Sequence, residues 1–228
     1  MPDSHCSVQC SCTRKSSSRS VCLFRSIPLA CRLVYNYCTT PRPDPIPEGV
    51  QGAFLVGEEL YRKVEDSLRV QVSRIAAGLS SRPDDVLLAE YLERWNKFNT
   101  SVKVINHIFN YLNRFWVIRK RDEGCDKIYE IRILALVLWQ DQLFVPLRTR
   151  IRACVLQAFH MDRLGEPINR AVLRGVIQSV VSLGVNNIGL YRTEIEIPVL
   201  DATEAYYRQV RDPSSILYII LALTTPPL

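Results

Sequence analysis

Glycine and histidine are scarce in this chain, and their positions exclude several classes of chemistry. Nine of the 228 residues are glycine, and they form neither a GxGxxG nor a GxxxxGK pattern, the loops that cradle nucleotide phosphates. Three residues are histidine, and His107 and His160 have no cysteine or serine at the spacing of a nucleophilic site. The sequence therefore predicts a protein that is not an enzyme and needs no cofactor.

Long hydrophobic runs are also lacking. Residues 216–223 form an apolar run of eight residues, whereas a membrane-spanning helix needs about 20. No secretory signal precedes the helical part of the chain. We therefore expect no membrane association.

Cysteine is abundant only at the start, where six of the eight cysteines lie within the first 38 residues. Cys6, Cys10 and Cys12 lack the paired two-residue spacing of a zinc ribbon, and no histidine pair follows them. We interpret residues 1–26 as a disordered or aberrant leader rich in serine and cysteine, without a metal.

The net charge of +6 and the isoelectric point near 8.9 are mildly basic. Such a charge is compatible with nucleic-acid binding, but it also suits a protein with acidic protein partners, and no dense basic stripe is present. A basic helical nucleic-acid-binding module is therefore an alternative, and we expect no nucleic acid as the partner.

Hydrophobic periodicity predicts a chain built of helices. The stretch 99–121 carries two neighbouring apolar stripes, one through Leu112 and Trp116 and one through Phe115 and Ile118, so we expect one long helix buried on most sides. Similar stripes predict a helix over 54–79, another over 86–98, and one with Ile168, Val172, Val176 and Val180 on its buried side.

After the turn at 122–124, a further helix is predicted from about Asp126 until Pro146 stops it. This helix has two apolar faces. One carries Ile128, Ala135 and Trp139, and the other carries Tyr129, Ile133, Leu136 and Gln140. Because a helix needs one apolar face to join its own core, the second face predicts a contact with another part of the chain or another molecule.

The order of these segments resembles a known family. The segments NHIFNYLNRFWV (106–117), IYEI (128–131), LALV (134–137), GEPIN (165–169) and GVIQSVVSLG (175–184) closely resemble the first repeats of a cullin. VYNYCT (34–39), LVGEELYRKV (55–64) and DATEAYY (201–207) fit the same pattern in the same order. In particular they resemble the subgroup that scaffolds ubiquitin ligases through a Skp-type adaptor and an F-box protein.

This resemblance implies an all-α stalk of stacked five-helix cullin repeats. The first repeat would span 27–164 with a proline-rich linker at 41–52, and the second would begin at 165–212, followed by a divergent tail at 213–228. The implied location is the cytoplasm and nucleus. The resemblance also implies a scaffold role in the ubiquitin ligase complex, without the region that binds the RING subunit or the site that accepts the ubiquitin-like modifier.

In the cullins that this chain resembles, the second and fifth helices of the first repeat bind the adaptor, a BTB-fold subunit that carries the F-box substrate receptor. By position the second helix ends near Tyr35, and the fifth is the one predicted from Asp126. The resemblance therefore implies an adaptor site formed by Tyr35, Tyr129, Arg132, Ile133 and Leu136, with Arg132 at its edge facing an acidic adaptor.

Two departures from the family pattern bear on this site. Pro28 falls where the interior of the second helix is expected, so we predict that this helix begins at Pro28 at the earliest. The segment from Ser214 also departs from the polar continuation of a cullin. A non-functional truncated or mispredicted gene product is thus the other alternative.

Overall fold

The structure is a computed structural model that describes residues 17–39, 52–125, 127–185 and 187–211, with side chains described at 27–39, 57–125, 127–185 and 187–210. Seven helices, without a strand, make up the regular structure in these ranges. The first three are α1 (Ser17–Thr39), α2 (Gly52–Ser80) and α3 (Asp84–Ile108). The all-α prediction is confirmed.

Three of the remaining four helices each contain a π-helical turn. Helix α4 consists of Asn110–Leu112, the π turn Asn113–Val117 and Ile118–Asp122. Helix α5 consists of Ile131–Trp139, the π turn Gln140–Phe144 and Val145–Arg163. Helix α6 is Arg170–Leu183, and α7 consists of Gly189–Tyr191, the π turn Arg192–Glu196 and Ile197–Arg211.

The prediction that Pro146 ends a helix is wrong. Helix α5 begins only at Ile131, and it continues through Pro146 to Arg163. The backbone N–H of Val145 donates to the Gln140 carbonyl, five residues earlier. This π turn adds a residue to the helix directly before the proline, and the proline ring, which clashes with the preceding turn of a regular α-helix, is accommodated there.

Helix α7 repeats this arrangement. The N–H of Ile197 donates to the Arg192 carbonyl, again five residues earlier, and Pro198 follows. Pro198 is thus the second residue after a π turn, as is Pro146.

Pro28 also lies inside a helix, because α1 begins at Ser17, eleven residues before it. The prediction that this helix begins at Pro28 at the earliest is wrong. An internal proline removes one backbone hydrogen bond and strains one turn, and α1 continues to Thr39 despite that loss. The predicted leader therefore overlaps α1 at residues 17–26, while residues 1–16 lie outside the described residues.

The described residues form two compact units. The first comprises α1, the beginning of α2 up to Tyr61, the end of α3 from Val104, and α4 with the loop up to Ile128. The second comprises α2 from Arg62, α3 up to Lys103, and the chain from Tyr129 onwards. The predicted boundary between the repeats, near residue 165, falls in the turn between α5 and α6, where Gly165 has a φ of 81°. It stays a prediction.

The core of the first unit contains Val34 and Cys38 of α1, Tyr61 of α2, and Leu112, Trp116 and Val117 of α4. The rings of Tyr61 and Trp116 lie 4.8 Å apart. The prediction that the stretch 99–121 is buried on most sides is only half right: Leu112 and Trp116 are buried, while Phe115 and Ile118 are exposed. The stretch is also divided at Phe109, where α3 ends and α4 follows.

The core of the second unit surrounds Trp139 of α5, which is fully buried. Its ring centroid lies 4.6 Å from that of Phe98, 5.4 Å from that of Trp95 and 6.1 Å from that of Tyr91, all on α3. Trp139 Nε1 donates to the Tyr91 hydroxyl at 3.4 Å, and Ser179 Oγ of α6 lies 3.2 Å from the same hydroxyl. One cluster of side chains therefore joins three helices.

Helix α6 faces this core with a stripe shifted from the predicted one. Val176 and Val180 are buried as predicted, but Leu173 and Leu183 complete the stripe instead of Ile168 and Val172. Ile168 lies before the helix, which begins at Arg170 after Asn169 caps it by accepting the N–H of Val172. The cap fixes where the first turn of α6 begins.

A single guanidinium group fixes the turn between α2 and α3 in the second unit. Arg150 of α5 donates to the Asp84 carboxylate through Nε at 3.0 Å, and to the carbonyls of Ser80 and Arg82 at 3.0 and 2.6 Å. Arginine suits this position because its planar group directs several donors at once. Asp84, the first residue of α3, is held by this ion pair.

We predict that Tyr91→Phe destabilises the second unit. The substitution keeps the ring but removes the hydroxyl that accepts the Trp139 Nε1 hydrogen bond, so the free energy of unfolding should fall by about 1–3 kcal/mol. Urea denaturation followed by circular dichroism measures this change. Tyr207→Phe, at an exposed tyrosine, is the matched control and should leave the stability within about 0.5 kcal/mol. Equal stability of the two variants would contradict the role of the Tyr91 hydroxyl.

Candidate docking surfaces

Four of the five predicted site residues lie together in the second unit, at the beginning of α5. Tyr129 precedes the helix, Arg132 is exposed on its first turn, and Ile133 is half-buried. Leu136, in contrast, is only 5% exposed, and it lies among the buried residues of α5 together with Ala135 and Trp139. Leu136 therefore has almost no surface left for a partner, and the accessible part of this group is Tyr129, Arg132 and Ile133.

The fifth residue, Tyr35, lies in the first unit on α1, with half of its surface exposed. Its ring meets the ring of Tyr111 of α4 edge to face, with 5.1 Å between the centroids. Tyr111 in turn stacks at a tilt on Phe115, 4.6 Å away. We call Tyr35, Tyr111 and Phe115 the aromatic row.

The aromatic row includes exposed residues that the sequence reasoning missed. Phe115 is 60% exposed, and Ile118, one turn further along α4, is also exposed. The signal was available, because 99–121 carries two apolar stripes, as does the next predicted helix. The argument that a second apolar face needs a partner was applied only to α5, although it holds equally for α4.

The packing beneath the aromatic row holds it in place. Residues of α1, α2 and α4 line a pocket of about 100 Å³ directly beside the row, among them Cys38, Gly57, Trp116 and Arg119. Trp116 leaves no room at Gly57, because a Cβ atom built there would lie 2.4 Å from the indole Cδ1. On the neighbouring turn of α4, the Asn113 amide donates to Asn106 Oδ1 at 2.9 Å. The row thus rests on tightly packed helices.

Burial shifts two titrating groups at this surface. It raises the pKa of the Cys38 thiol and, together with the neighbouring Cys38 and Tyr35, the pKa of the Tyr111 hydroxyl. Both groups therefore stay neutral near pH 7. The exposed side of α4 has a positive net charge, since it carries Arg114, Arg119 and Arg121, of which Arg119 is paired with Glu123 at 3.3 Å; a positive surface suits an acidic partner.

The surfaces lack the features of a catalytic or metal centre. Among the described residues, three or more histidine, cysteine, aspartate or glutamate side chains do not come close enough together to hold a metal ion. His107 and His160 are both exposed. No helix in this described part of the chain has both the length and the hydrophobicity of a membrane span.

Comparison with protein families identifies the fold. The profile of the cullin alpha solenoid domain matches residues 26–216, which is most of the chain. The chain belongs to the cullin family.

Several curated cullins are similar to the chain over about three quarters of its length. Cullin-1 of Dictyostelium discoideum is 35% identical over 187 residues, covering 76% of the chain and 24% of the relative. Cullin-1 of Caenorhabditis elegans is 32% identical over 202 residues, covering 77% and 26%. Cell division control protein 53 of Saccharomyces cerevisiae is 28% identical over 188 residues, covering 77% and 23%.

The chain therefore spans about a quarter of the length of the curated relatives it matches. The resemblance to cullins drawn from the sequence segments is confirmed. Membership of the family identifies the helices as part of a cullin alpha solenoid domain. The assignment of residues to a docking site, in contrast, rests on their positions within the repeat.

We predict that Gly57→Ala disrupts the packing under the aromatic row. The added methyl group collides with the buried indole of Trp116, so the first unit should lose about 1–3 kcal/mol of stability. Gly78→Ala on the same helix is the matched control, because a Cβ atom there has its nearest contact at 3.6 Å, with the end of the Arg94 side chain. This control should be neutral or stabilising by up to about 1 kcal/mol. Thermal unfolding of both variants decides, and a harmless Gly57→Ala would refute the tight contact.

The raised pKa of Cys38 makes a second prediction at this surface. Since the thiolate is the form that reacts with iodoacetamide, Cys38 should be alkylated more slowly at pH 8 than the exposed Cys125. Peptide mass spectrometry after timed alkylation resolves the two residues. In denaturant, where burial is lost, the two rates should become similar, and similar rates in the folded protein would contradict the burial of Cys38.

Proposed function

We propose that this chain is a scaffold segment of a cullin-type ubiquitin ligase that binds a Skp-type, BTB-fold adaptor carrying an F-box substrate receptor. The supporting observation is the exposed aromatic row formed by α1 and α4, where α1 is the helix that we assign to the second helix of the first cullin repeat. Exposed aromatic side chains on a rigid support are typical anchors of protein interfaces.

We propose that the adaptor contacts the first unit through Tyr35, with Phe115 and Ile118 as further apolar contacts. A side chain that is half exposed and also held by a neighbouring ring loses little conformational freedom on binding. Tyr35 meets this condition through its edge-to-face contact with Tyr111, and Phe115 meets it through its stacking on the same ring.

In the second unit we propose that Tyr129, Arg132 and Ile133 contact the adaptor. The exposed guanidinium of Arg132 supplies a positive charge at the edge of this group, suited to an acidic partner. Leu136 supports the group from beneath, since it is buried in the same turns of α5. Its truncation should therefore weaken binding only by destabilising the helix.

The proposed role is non-catalytic. The chain would hold the adaptor and its F-box protein in the cytoplasm and nucleus, while transfer of ubiquitin would require a RING subunit. We expect the RING subunit not to bind residues 1–228, because no stretch of them resembles the cullin region that receives it.

Titration calorimetry of residues 1–228 with a Skp-type adaptor, loaded with an F-box segment, tests the proposal. We expect saturable one-to-one binding that persists at elevated salt. Tyr35→Ala, Phe115→Ala and Tyr129→Ala should each weaken it by about 2 kcal/mol, which is roughly thirtyfold in Kd. Each variant should keep the helical circular dichroism of the parent chain.

Val70→Ala is the matched control, because Val70 is 55% exposed on α2 and belongs to neither docking group. It should bind as the parent chain does. No binding by a folded parent chain would contradict the proposed function, and equal weakening by the control would contradict the assigned residues. Salt-sensitive binding to any nucleic-acid duplex would instead favour a nucleic-acid-binding module.

A further inference from the structure

Helix α7 carries exposed apolar side chains beside its contact with α5. Arg163 of α5 donates to the Thr203 hydroxyl and lies over the ring of Tyr206, 5.4 Å from its centroid. Next to this contact Ile197 is 45% exposed, and Leu200 and Tyr207 are each 60% exposed. These three residues, separated by steps of three and seven, lie on one side of the helix, and we call them the outer row.

The outer row is of the kind that proteins usually cover. Glu204, which lies between Leu200 and Tyr207 on this side of the helix, is paired with Arg208 at 2.6 Å, so its charge is balanced within α7. A row of large apolar side chains at helical spacing is typical of a surface that packs against another segment.

An apolar segment of the same chain follows directly. Helix α7 ends at Arg211, and the sequence then reads DPSS (212–215) followed by ILYIILAL (216–223). Aspartate, proline and serine are residues that favour turns. The match to the cullin profile ends at residue 216, so the apolar segment begins where similarity to the family stops.

We propose that residues 216–223 pack against the outer row of α7 in the same chain. Four residues connect Arg211 to residue 216, and the five steps between these two residues reach up to about 17 Å when extended. Tyr207 lies about 6 Å and Leu200 about 16 Å back along the helix from Arg211. The apolar segment therefore reaches the outer row after a single reversal of the chain.

The outer row offers too little area for a stable contact with a second copy of the chain. The three side chains offer roughly 300 Å² of exposed area, judged from their exposed fractions and the usual side-chain areas. Each partner of a stable complex typically contributes about 800 Å². A segment tethered five residues away needs far less area, because its effective concentration is high.

Photo-crosslinking in the complete 1–228 chain tests the proposal. With p-benzoylphenylalanine in place of Leu200, peptide mass spectrometry should find crosslinks to residues 216–223 within the same chain, in a yield that is constant across a dilution series. The same probe in place of Val70, equally exposed on α2, is the control and should give no such crosslink. Crosslinks between two chains that decline on dilution, or none to residues 216–223, would overturn the proposal.

A double-mutant cycle provides an independent measurement. Tyr207→Ser and Ile220→Ser should each lower the Tm, and the double variant should lower it no further than the larger single effect, because both substitutions remove the same contact. Additive shifts, or no shift from Ile220→Ser, would refute the contact. The adaptor is absent from both experiments, so their outcome is separate from that of the proposed docking function.

Discussion

The second unit depends on the burial of one indole ring. Trp139 is enclosed by three aromatic residues of α3, and its N–H is satisfied by a tyrosine hydroxyl that also meets Ser179 of α6. A large ring with one polar atom needs both a closely fitting apolar shell and a partner for that atom. Meeting both requirements fixes α3, α5 and α6 relative to one another, and α5 in this fixed position carries Arg132 and Ile133, with Tyr129 just before its first turn.

The first unit presents its exposed aromatic residues by a similar principle. Trp116 is buried against Gly57 and Tyr61, and it is the neighbour of Phe115 in the sequence. Adjacent residues of a helix point in different directions, so the buried indole determines where the exposed phenylalanine lies. A surface defined in this way is rigid before any partner arrives, which lowers the entropic cost of binding.

Much of the fold could be predicted because apolar residues recur with the period of a helix. The bounds of α2 differ from the predicted 54–79 by no more than two residues at either end. The largest errors in the helix bounds occurred at prolines. Pro28 and Pro146 were interpreted as helix boundaries from the local cost of a proline, but Pro146 follows a π turn that no hydrophobic pattern reveals. Whether a helix continues through a proline depends on the tertiary contacts of the residues on either side, which can outweigh the local cost of the proline.

The candidate site could be predicted only in part, for a related reason. Periodicity separates an apolar side of a helix from a polar one, but it does not tell which of two apolar sides is inside. On α5 it placed Leu136 on the outer side, and the structure buries it. On α4 it placed Phe115 inside, and the structure exposes it. Position within a repeat identifies a helix, whereas the orientation of each side chain depends on packing.

The π turns of α5 and α7 have a consequence for how these helices tolerate change. A π turn contains one residue more than the regular helix, and each residue advances the helix by about 100°. The turn at Gln140–Phe144 thus sets the rotational phase between Trp139 before it and Leu147, Ile151 and Val155 after it, all of which are buried. Loss of one residue there would rotate one half of α5 out of its core. The length of this turn is therefore constrained in addition to the two residues, Leu143 and Phe144, that it buries.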